Sequence, residues 1–345
     1  MRDYLYNLAT DKAKGAISAL IKIPLFALSL VYGLIVRILI FLYIRNQKQL
    51  ESKVVGVGNI TLGGTGKTSL VEFIAKALKK NGHRVAVLSR GYKRTRDTLM
   101  GDEPTMLAVK LKNVPVIVDA DRFRGAKKAI KDYHADTLVL DDAFQQWRVK
   151  KDLEIVAIDS TKPFGNGRMI PRGILREPLS SLRRADIFIL TKTNLIADTK
   201  GIRERLSVIN PETPIVETVH KPVGLCELRN PARIFSPEFF DGKEVALFSG
   251  IGDPDSFAGV VRSMGLNVRL NLKFPDHFNY RQEDFDKIVN QAKVRNLNVI
   301  ITTEKDAVRL TNIRIPGEGL QFLVLRIEIA VTKNEEALLS RLNSL

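Results

Sequence analysis

The stretch GGTGKT, residues 63–68, follows a short apolar run at residues 53–57 and opens an amphipathic run at residues 67–80. A strand, a glycine-rich turn and a helix in this order are the context of a phosphate-binding P-loop. Lys67 would neutralise the β- and γ-phosphates, and the Thr68 hydroxyl would ligate Mg²⁺. The usual pattern has glycine six positions before the lysine, where Thr61 stands. The expected nucleotide-binding residues are Gly63, Gly64, Thr65, Gly66, Lys67, Thr68 and Ser69.

Further apolar runs alternate with helical patterns and indicate an α/β fold. The predicted strands occupy residues 84–88, 114–118, 137–140, 153–158 and 187–190, with a helix at residues 122–133. Strands that alternate with helices form a doubly wound, mostly parallel sheet, which binds ligands at the carboxyl ends of its strands. A second series, with runs at residues 245–248 and 299–302, predicts a smaller C-terminal α/β domain.

Residues 15–45 form a long apolar segment, which Lys22 and Arg37 interrupt. A membrane-spanning helix needs roughly 20 mostly apolar residues. Three interpretations stay open: a helix lying in one leaflet, which we favour, a single span, and a buried soluble helix. No small-residue cleavage site follows, so we do not expect a cleaved signal peptide. The predicted organisation is a membrane-associated helix at 1–48, a P-loop domain at 49–205, a linker at 206–225 and a C-terminal domain at 226–345.

Composition and charge limit the classes of partner. The 345-residue chain is 45% hydrophobic, and its single cysteine, Cys226, excludes an intrachain disulfide and fits a reducing compartment. No cluster of Cys and His predicts a zinc site. The net charge of +16 favours anionic partners such as nucleic acid, phosphorylated substrates or an anionic leaflet. Many basic residues lie between residues 79 and 131, including Arg90, Lys93, Arg94, Arg96, Arg122, Arg124, Lys127 and Lys128.

An apolar run that ends in two carboxylates, TLVLDD at residues 137–142, is typical of a Walker B strand. Such a strand places a carboxylate next to Mg²⁺. Adjacent residues leave a strand end in different directions, so one of Asp141 and Asp142 would hold the metal and the other would bind water or a neighbouring group. The alternative is a strand that ends in a solvated pair, which the upstream P-loop disfavours.

Three weaker motifs follow. Asp102 and Glu103 are adjacent carboxylates, which suit acid–base or metal chemistry, but the residues alone favour an N-cap of the helix that follows. His277 follows a strand-like run, and a lone histidine is more often structural than catalytic. The glycine-containing loop at residues 165–178 fits either an anion site or a basic surface loop, and its arginines are Arg168, Arg172 and Arg176.

Eight sequence blocks occur in one order: VGNITLGGTGKTS, RGYKR, GDEP, LDDAFQ, FGNGRMIPRGILREP, SGIGDPDSF, FPDHF and TTEKDAVR. Together they resemble the tetraacyldisaccharide 4'-kinase family, the lipid A 4'-kinases, from about residue 54 to 310. The resemblance implies transfer of the γ-phosphate of ATP to the 4'-hydroxyl of a tetraacylated glucosamine disaccharide 1-phosphate, at the cytoplasmic face of the inner membrane. The expected cofactors are ATP and Mg²⁺. The expected partners are this lipid A precursor and the cytoplasmic leaflet, and not nucleic acid.

The resemblance also implies roles for individual residues. Asp102 would be the catalytic carboxylate, and His277 would orient it and raise its proton affinity. Lys67 completes the catalytic set, and the expected metal-side residues are Thr68, Asp141, Asp142, Glu103 and Gln145. The expected contacts to the substrate phosphate are Arg122, Arg172 and Arg176. Two features depart from the family: DDAFQQ replaces the usual DDGFQH, through Ala143 and Gln146, and the segment at residues 95–100 is short.

Three other classes of protein would each account for part of the sequence. A P-loop GTPase or metal-insertion NTPase would read guanine with an N/T-K-x-D motif, but Asn194 ends the corresponding stretch at residues 191–194. A membrane-associated partitioning ATPase would have lysine just before the glycine pair, where Leu62 stands. A nucleic-acid-binding module would explain the charge but not the apolar helix or the GDEP block. The main alternative is a membrane-associated P-loop NTPase of the partitioning or metal-insertion type.

Overall fold

The computed structural model describes residues 2–91, 100–316 and 319–345. The basic residues Lys93, Arg94 and Arg96 and nearly all of the short segment at residues 95–100 lie outside the described residues. The chain forms two compact units. The P-loop unit comprises Met1–Arg90, Leu111–Val219 and Val331–Leu345, and the second unit comprises Gly91–Lys110 and His220–Ala330. The domain boundaries given above stay a prediction.

Ten helices and twelve strands, together with short 3-10 turns, are found in the described residues. The helices are α1 (Arg2–Ala9), α2 (Ala16–Arg45), α3 (Lys67–Lys80), α4 (Asp102–Lys110), α5 (Arg122–Tyr133), α6 (Lys200–Ile209), α7 (Pro254–Ser263), α8 (Gln282–Lys293), α9 (Glu304–Arg309) and α10 (Glu335–Asn343). The strands are β1 (Lys53–Asn59), β2 (Val85–Ser89), β3 (Val116–Val118), β4 (Thr137–Asp141), β5 (Leu153–Asp159), β6 (Ile187–Thr191), β7 (Ile215–Glu227), β8 (Ile234–Phe235), β9 (Glu244–Ser249), β10 (Asn267–Lys273), β11 (Val299–Thr303) and β12 (Gln321–Lys333).

The P-loop unit is built on a parallel sheet with strand order β7-β6-β5-β1-β4-β2-β3. Every residue of β4, β5 and β6 is buried, as expected for a parallel sheet that is covered on both faces. A Cβ atom at Gly58 would collide with the backbone of Phe144, so glycine allows the chain after β4 to pack directly on β1. The predicted doubly wound, mostly parallel α/β fold is confirmed.

The second unit has its own α/β core. Its strand order is β10-β9-β11-β12-β7, with β8 antiparallel to β7, and the β10–β9, β9–β11 and β11–β12 pairs are parallel. Helix α4 packs against α9, and Lys110 on α4 pairs with Glu304 on α9 at 2.8 Å. This packing holds the first turn of α4, which carries Asp102 and Glu103, beside α9.

Helix α2 is continuous through Pro24 and buries only a narrow stripe of mostly small residues: Ser18, Ser29, Gly33 and Val36. Its other faces expose large apolar side chains, among them Leu20, Leu30 and Leu34. Within the described residues it is the single helix long and apolar enough to cross a membrane by length and composition. Lys22, which interrupts the apolar segment, is paired with Asp11 at 2.7 Å. The helix therefore has a face that packs on the P-loop unit and an apolar face without a partner in the described residues.

Candidate active site

The phosphate-binding loop lies between β1 and α3, as the sequence predicts. Gly63 and Gly66 have φ angles of 119° and 79°, which glycine adopts without strain, and α3 begins at Lys67. The Thr191 hydroxyl donates to the carbonyl oxygen of Thr65 at 2.9 Å, and Lys192 Nζ donates to that of Gly64 at 3.1 Å. The stretch at residues 191–194 therefore supports the backbone of the P-loop, a role that does not depend on the base of a nucleotide.

Thr61, which stands where the usual pattern has glycine, is buried in extended backbone. It forms an isolated antiparallel bridge with Leu175, and its carbonyl oxygen accepts a hydrogen bond from Asn59 Nδ2 at 2.7 Å. The neighbouring Leu62 N–H donates to the Ile174 carbonyl oxygen at 2.7 Å. The first part of the loop is thus fixed by pairing with residues 174–175, so glycine is not needed at position 61.

Asn59, the last residue of β1, connects the charged groups of this site. Its Oδ1 accepts from Lys67 Nζ at 2.9 Å and also from Arg176, whose Nη2 donates to the Asn59 carbonyl oxygen at 2.9 Å. Gln145 Nε2 donates to the same carbonyl oxygen at 3.2 Å. Asn59 is not among the site residues predicted from the sequence. Its position at the end of the strand that enters the P-loop is the signal that could have identified it.

Asp141 and Asp142 make separate contacts. Asp141 is buried at the end of β4, and Ser89 Oγ donates to its Oδ2 at 3.3 Å. Asp142 follows in the left-handed region with φ 52°, and Arg176 donates to both of its carboxylate oxygens, at 2.8 and 3.0 Å. Lys67 Nζ lies 3.4 Å from Asp142 Oδ1. Burial alone would raise the pKa of Asp142, but the charges of Lys67 and Arg176 hold it well below its ordinary value.

Gln145 and Glu177 form a buried polar group beside Asn59. Glu177 is fully buried and accepts from Gln145 Nε2 and Trp147 Nε1, each at 3.0 Å, and from Arg184 at 2.8 Å. The amide nitrogen of Gln145 is therefore directed to acceptors, and its buried Oε1 has no hydrogen-bond partner among the residues that the structure describes. Glu177 lies in the predicted anion-binding loop but was not singled out, because a buried carboxylate gives no local sequence pattern.

The three arginines expected to contact a substrate phosphate all bond to protein groups. Arg176 binds Asp142 and Asn59 as described above. Arg172 donates at 2.9 Å to Oδ1 of Asp11, which lies between α1 and α2. The buried Arg122 donates to the Asp141 carbonyl oxygen at 2.9 Å. Their contact with substrate stays a prediction.

In the second unit, Asp102, His277 and Arg309 come together. His277 Nδ1 and Arg309 Nε lie 3.0 and 2.7 Å from Asp102 Oδ2. Lys305 Nζ lies 3.3 Å from His277 Nε2 and 3.2 Å from Glu103 Oε1. With a proton on Nδ1, the His277 ring would donate to Asp102 Oδ2 and could accept from Lys305 at Nε2. The predicted pairing of Asp102 with His277 is present, whereas Arg309 and Lys305 were not assigned from the TTEKDAVR block.

The expectation that His277 raises the proton affinity of Asp102 is wrong. Burial alone would raise the pKa of the Asp102 carboxyl, but the hydrogen bond from His277 and the charge and hydrogen bond of Arg309 outweigh burial. The net effect lowers the pKa, because both neighbours donate to the ionised form. Asp102 is therefore held as a carboxylate that accepts hydrogen bonds.

The donor atoms of the P-loop unit fit a magnesium ion. Thr68, Asp141 and Asp142 offer hydroxyl and carboxylate oxygens, the ligand class that Mg²⁺ takes alongside phosphates and water. The buried Gln145 Oε1 is a further oxygen, which receives no hydrogen bond from the described part of the chain. In the part of the chain that the structure describes, no three His, Cys, Asp or Glu side chains form a metal cluster. Glu103 belongs to the second unit, where Lys305 Nζ lies 3.2 Å from its Oε1, and its place among the metal-side residues stays a prediction.

A P-loop on a doubly wound parallel sheet, with an aspartate beside the loop lysine, defines a P-loop nucleotide-binding protein. The family described as tetraacyldisaccharide-1-P 4'-kinase (LpxK) matches residues 21–344. A tetraacyldisaccharide 4'-kinase of Halothermothrix orenii is 37% identical, with the alignment covering 96% of this chain and 94% of that protein. One from Desulfatibacillum aliphaticivorans is 35% identical, over 96% of this chain and 95% of that protein.

Among solved structures, a crystal structure of LpxK from Aquifex aeolicus in complex with ATP matches with a TM-score of 0.73 and 26% identity. The match covers 94% of this chain and 99% of that one. The chain belongs to the tetraacyldisaccharide-1-P 4'-kinase family. The partitioning or metal-insertion NTPase is not favoured.

Proposed function

We propose that this protein is an ATP-dependent kinase that phosphorylates the 4'-hydroxyl of a tetraacylated glucosamine disaccharide 1-phosphate in lipid A biosynthesis. The main structural support is the P-loop lysine, Lys67, held between Asn59 at 2.9 Å and Asp142 at 3.4 Å. This arrangement lies in a chain that belongs to a family of 4'-kinases.

The P-loop unit would bind ATP. Backbone N–H groups of the loop and the N-terminus of α3 would bind the β-phosphate, and Lys67 would exchange its protein contacts for phosphate oxygens. Thr68, Asp141 and Asp142 would hold Mg²⁺, and Gln145 Oε1 would accept a hydrogen bond from a water molecule beside it. The bound Mg²⁺ would neutralise phosphate charge. Arg176 would orient Asp142 through its bidentate contact.

Asp102 would receive the acceptor. In the transfer, the 4'-hydroxyl oxygen forms a bond to the γ-phosphorus while the bond from this phosphorus to the bridging oxygen breaks, and ADP leaves with the electron pair. The hydroxyl proton passes to Asp102. Because the pKa of Asp102 is lowered, it orients the hydroxyl in the ground state and takes the proton only as the new bond forms.

The location follows from the substrate and from α2. A four-chain lipid leaves a bilayer with difficulty, since each buried CH₂ contributes ~0.8 kcal/mol. We propose that the apolar faces of α2 lie in the cytoplasmic leaflet of the inner membrane as a monotopic helix, a single span being the alternative. The net charge of +16 would favour the anionic leaflet and the substrate 1-phosphate.

Transfer of labelled γ-phosphate from ATP–Mg²⁺ to tetraacyldisaccharide 1-phosphate in mixed micelles tests this function. We expect the unaltered protein to label the lipid, Lys67→Ala and Asp102→Ala to reduce transfer by about 10²-fold or more, and His277→Ala to reduce it less. Lys80→Ala, an exposed lysine at the end of α3, is the matched control and should retain full transfer.

ATP hydrolysis without any labelling of the lipid would exclude the proposed acceptor. It would favour the alternative of a partitioning or metal-insertion NTPase. If Asp102→Ala still labels the lipid, the proposed kinase function stands, but Asp102 has no part in the mechanism.

A further inference from the structure

The guanidinium of Arg309 is buried in the second unit, with its side chain 4% exposed, and it bonds in two directions. Its Nε donates to Asp102 Oδ2 at 2.7 Å. Its Nη1 donates to the Gly250 carbonyl oxygen at 2.8 Å and to Asp306 Oδ1 at 3.0 Å. Arg309 thus connects Asp102, which is proposed to bind the acceptor hydroxyl, with the more deeply buried Asp306.

Asp306 is a fixed anchor for this arginine. It is fully buried, and its Oδ1 also accepts from the Gly250 N–H at 3.0 Å and from the Tyr280 hydroxyl at 3.1 Å. Its Oδ2 accepts from the Thr303 hydroxyl at 2.7 Å. Asp306 has no access to a substrate, so its network determines where Arg309 lies whether or not a substrate is bound.

The two donors to Asp102 converge on one oxygen. His277 Nδ1 and Arg309 Nε both contact Oδ2, and among the described residues Oδ1 receives no hydrogen bond. A carboxylate held through one oxygen by two donors has a fixed plane, and its other oxygen points in a fixed direction. Reacting groups need this control, because a misplacement of about 1 Å can lower a rate by about 10²-fold.

We propose that Arg309 is a positioning residue: pinned to the buried Asp306, it holds Oδ2 of Asp102 so that Oδ1 accepts the acceptor hydroxyl. This inference rests on the proposed kinase function. Arg309 does not touch the substrate, so its loss should lower kcat and leave the KM for ATP and for the lipid nearly unchanged.

The test measures kcat and both KM values of lipid phosphorylation, with thermal melting, for four variants of the full chain in detergent. Arg309→Met removes the guanidinium. Arg309→Lys keeps a positive charge that can pair with Asp306, but a single ammonium group cannot donate to Asp306 and Asp102 at the same time. The double variant Arg309→Met/Asp306→Asn removes the buried cation and anion together and so preserves folding. Arg295→Met, an exposed arginine just after α8, is the control.

We expect Arg309→Met and the double variant to lose roughly 10- to 100-fold in kcat with KM within about threefold. Arg309→Lys should restore the melting temperature of the unaltered protein, but its kcat should stay below a tenth of the unaltered value. A kcat that follows the melting temperature, including full recovery in Arg309→Lys, would show a merely structural role and overturn the inference while the kinase function stands. A rise in KM without a fall in kcat would also overturn it. Failure of the unaltered protein to label lipid would overturn both proposals.

Discussion

Asn59 shows how a neutral side chain organises two cations. Its Oδ1 accepts from Lys67 and from Arg176, so it holds both beside Asp142 without adding another negative charge. An aspartate there would bind the cations more strongly and compete with the phosphates of ATP, because charge-assisted hydrogen bonds are stronger than neutral ones. An amide is therefore the side chain that fixes Lys67 and still releases it to a nucleotide.

We accordingly predict that Asn59→Asp raises the KM for ATP by roughly 10-fold or more, since the added charge repels phosphate and retains Lys67. Asn59→Ala should raise it less, because Lys67 keeps its charge and loses only its orientation. Steady-state kinetics with varied ATP at saturating lipid would measure both. Asn46→Asp, at the exposed end of α2, controls for a general effect of negative charge. An unchanged KM in Asn59→Asp would mean that Asn59 has no part in nucleotide binding.

At the scale of elements, α2 and the loop at residues 165–178 form one structural unit. The Tyr32 hydroxyl on α2 donates to the Arg176 carbonyl oxygen at 3.0 Å, while the Arg176 side chain binds Asp142. One turn of α2 lies so close to the loop that a Cβ at Gly33 would stand 3.1 Å from Met169 Sδ. The packing of the apolar helix therefore bears directly on the residue that orients Asp142.

Gly33 tests this packing. Gly33→Ala adds one methyl group next to the flexible side chain of Met169. Alanine is about 1 kcal/mol more favourable than glycine in a helix, and this gain should offset the cost of the tighter contact. Gly33→Leu should destabilise the protein by about 1–3 kcal/mol, because a larger side chain must push α2 off the loop. Thermal melting in detergent measures both, and kcat should fall in Gly33→Leu alone. Equal stability of the two variants would show that α2 and the loop are not tightly packed.

The sequence predicts the elements of this protein better than the contacts between them. The start of α3, which carries Thr68, and the end of β4, which is followed by Asp142 and carries Asp141, follow from local patterns. A P-loop and an apolar strand ending in aspartate each have a fixed order of residues. Asn59, Glu177 and Arg309 are different, because each has a partner elsewhere along the chain: Lys67, Gln145 and Asp102 lie 8, 32 and 207 positions away. No local period encodes such pairs. The pKa of Asp102 was wrongly expected to rise, since the hydrogen bond from His277 and the charge and hydrogen bond of the distant Arg309 both lower it.

At the scale of the whole molecule, charge and apolar surface would both contribute to the proposed membrane binding. The net charge of +16 would attract the protein to an anionic surface over roughly a Debye length, about 10 Å at 0.1 M salt. The exposed side chains of α2 add a short-range apolar contribution that salt does not screen. The two contributions can therefore be separated in one experiment.

We predict that the protein binds vesicles containing phosphatidylglycerol more tightly than vesicles of phosphatidylcholine alone, and that added salt reduces this difference. Replacing Leu20, Leu30 and Leu34, which are 67%, 59% and 59% exposed, by serine should weaken binding to both kinds of vesicle by at least about 10-fold, because each loses apolar burial. Val208→Ser, at an 82% exposed position on α6, should leave binding unchanged. Sedimentation with vesicles measures all of these. Full binding of the triple variant at high salt would place the membrane contact outside α2, whereas binding lost only at high salt would make charge, and not the helix, the main anchor.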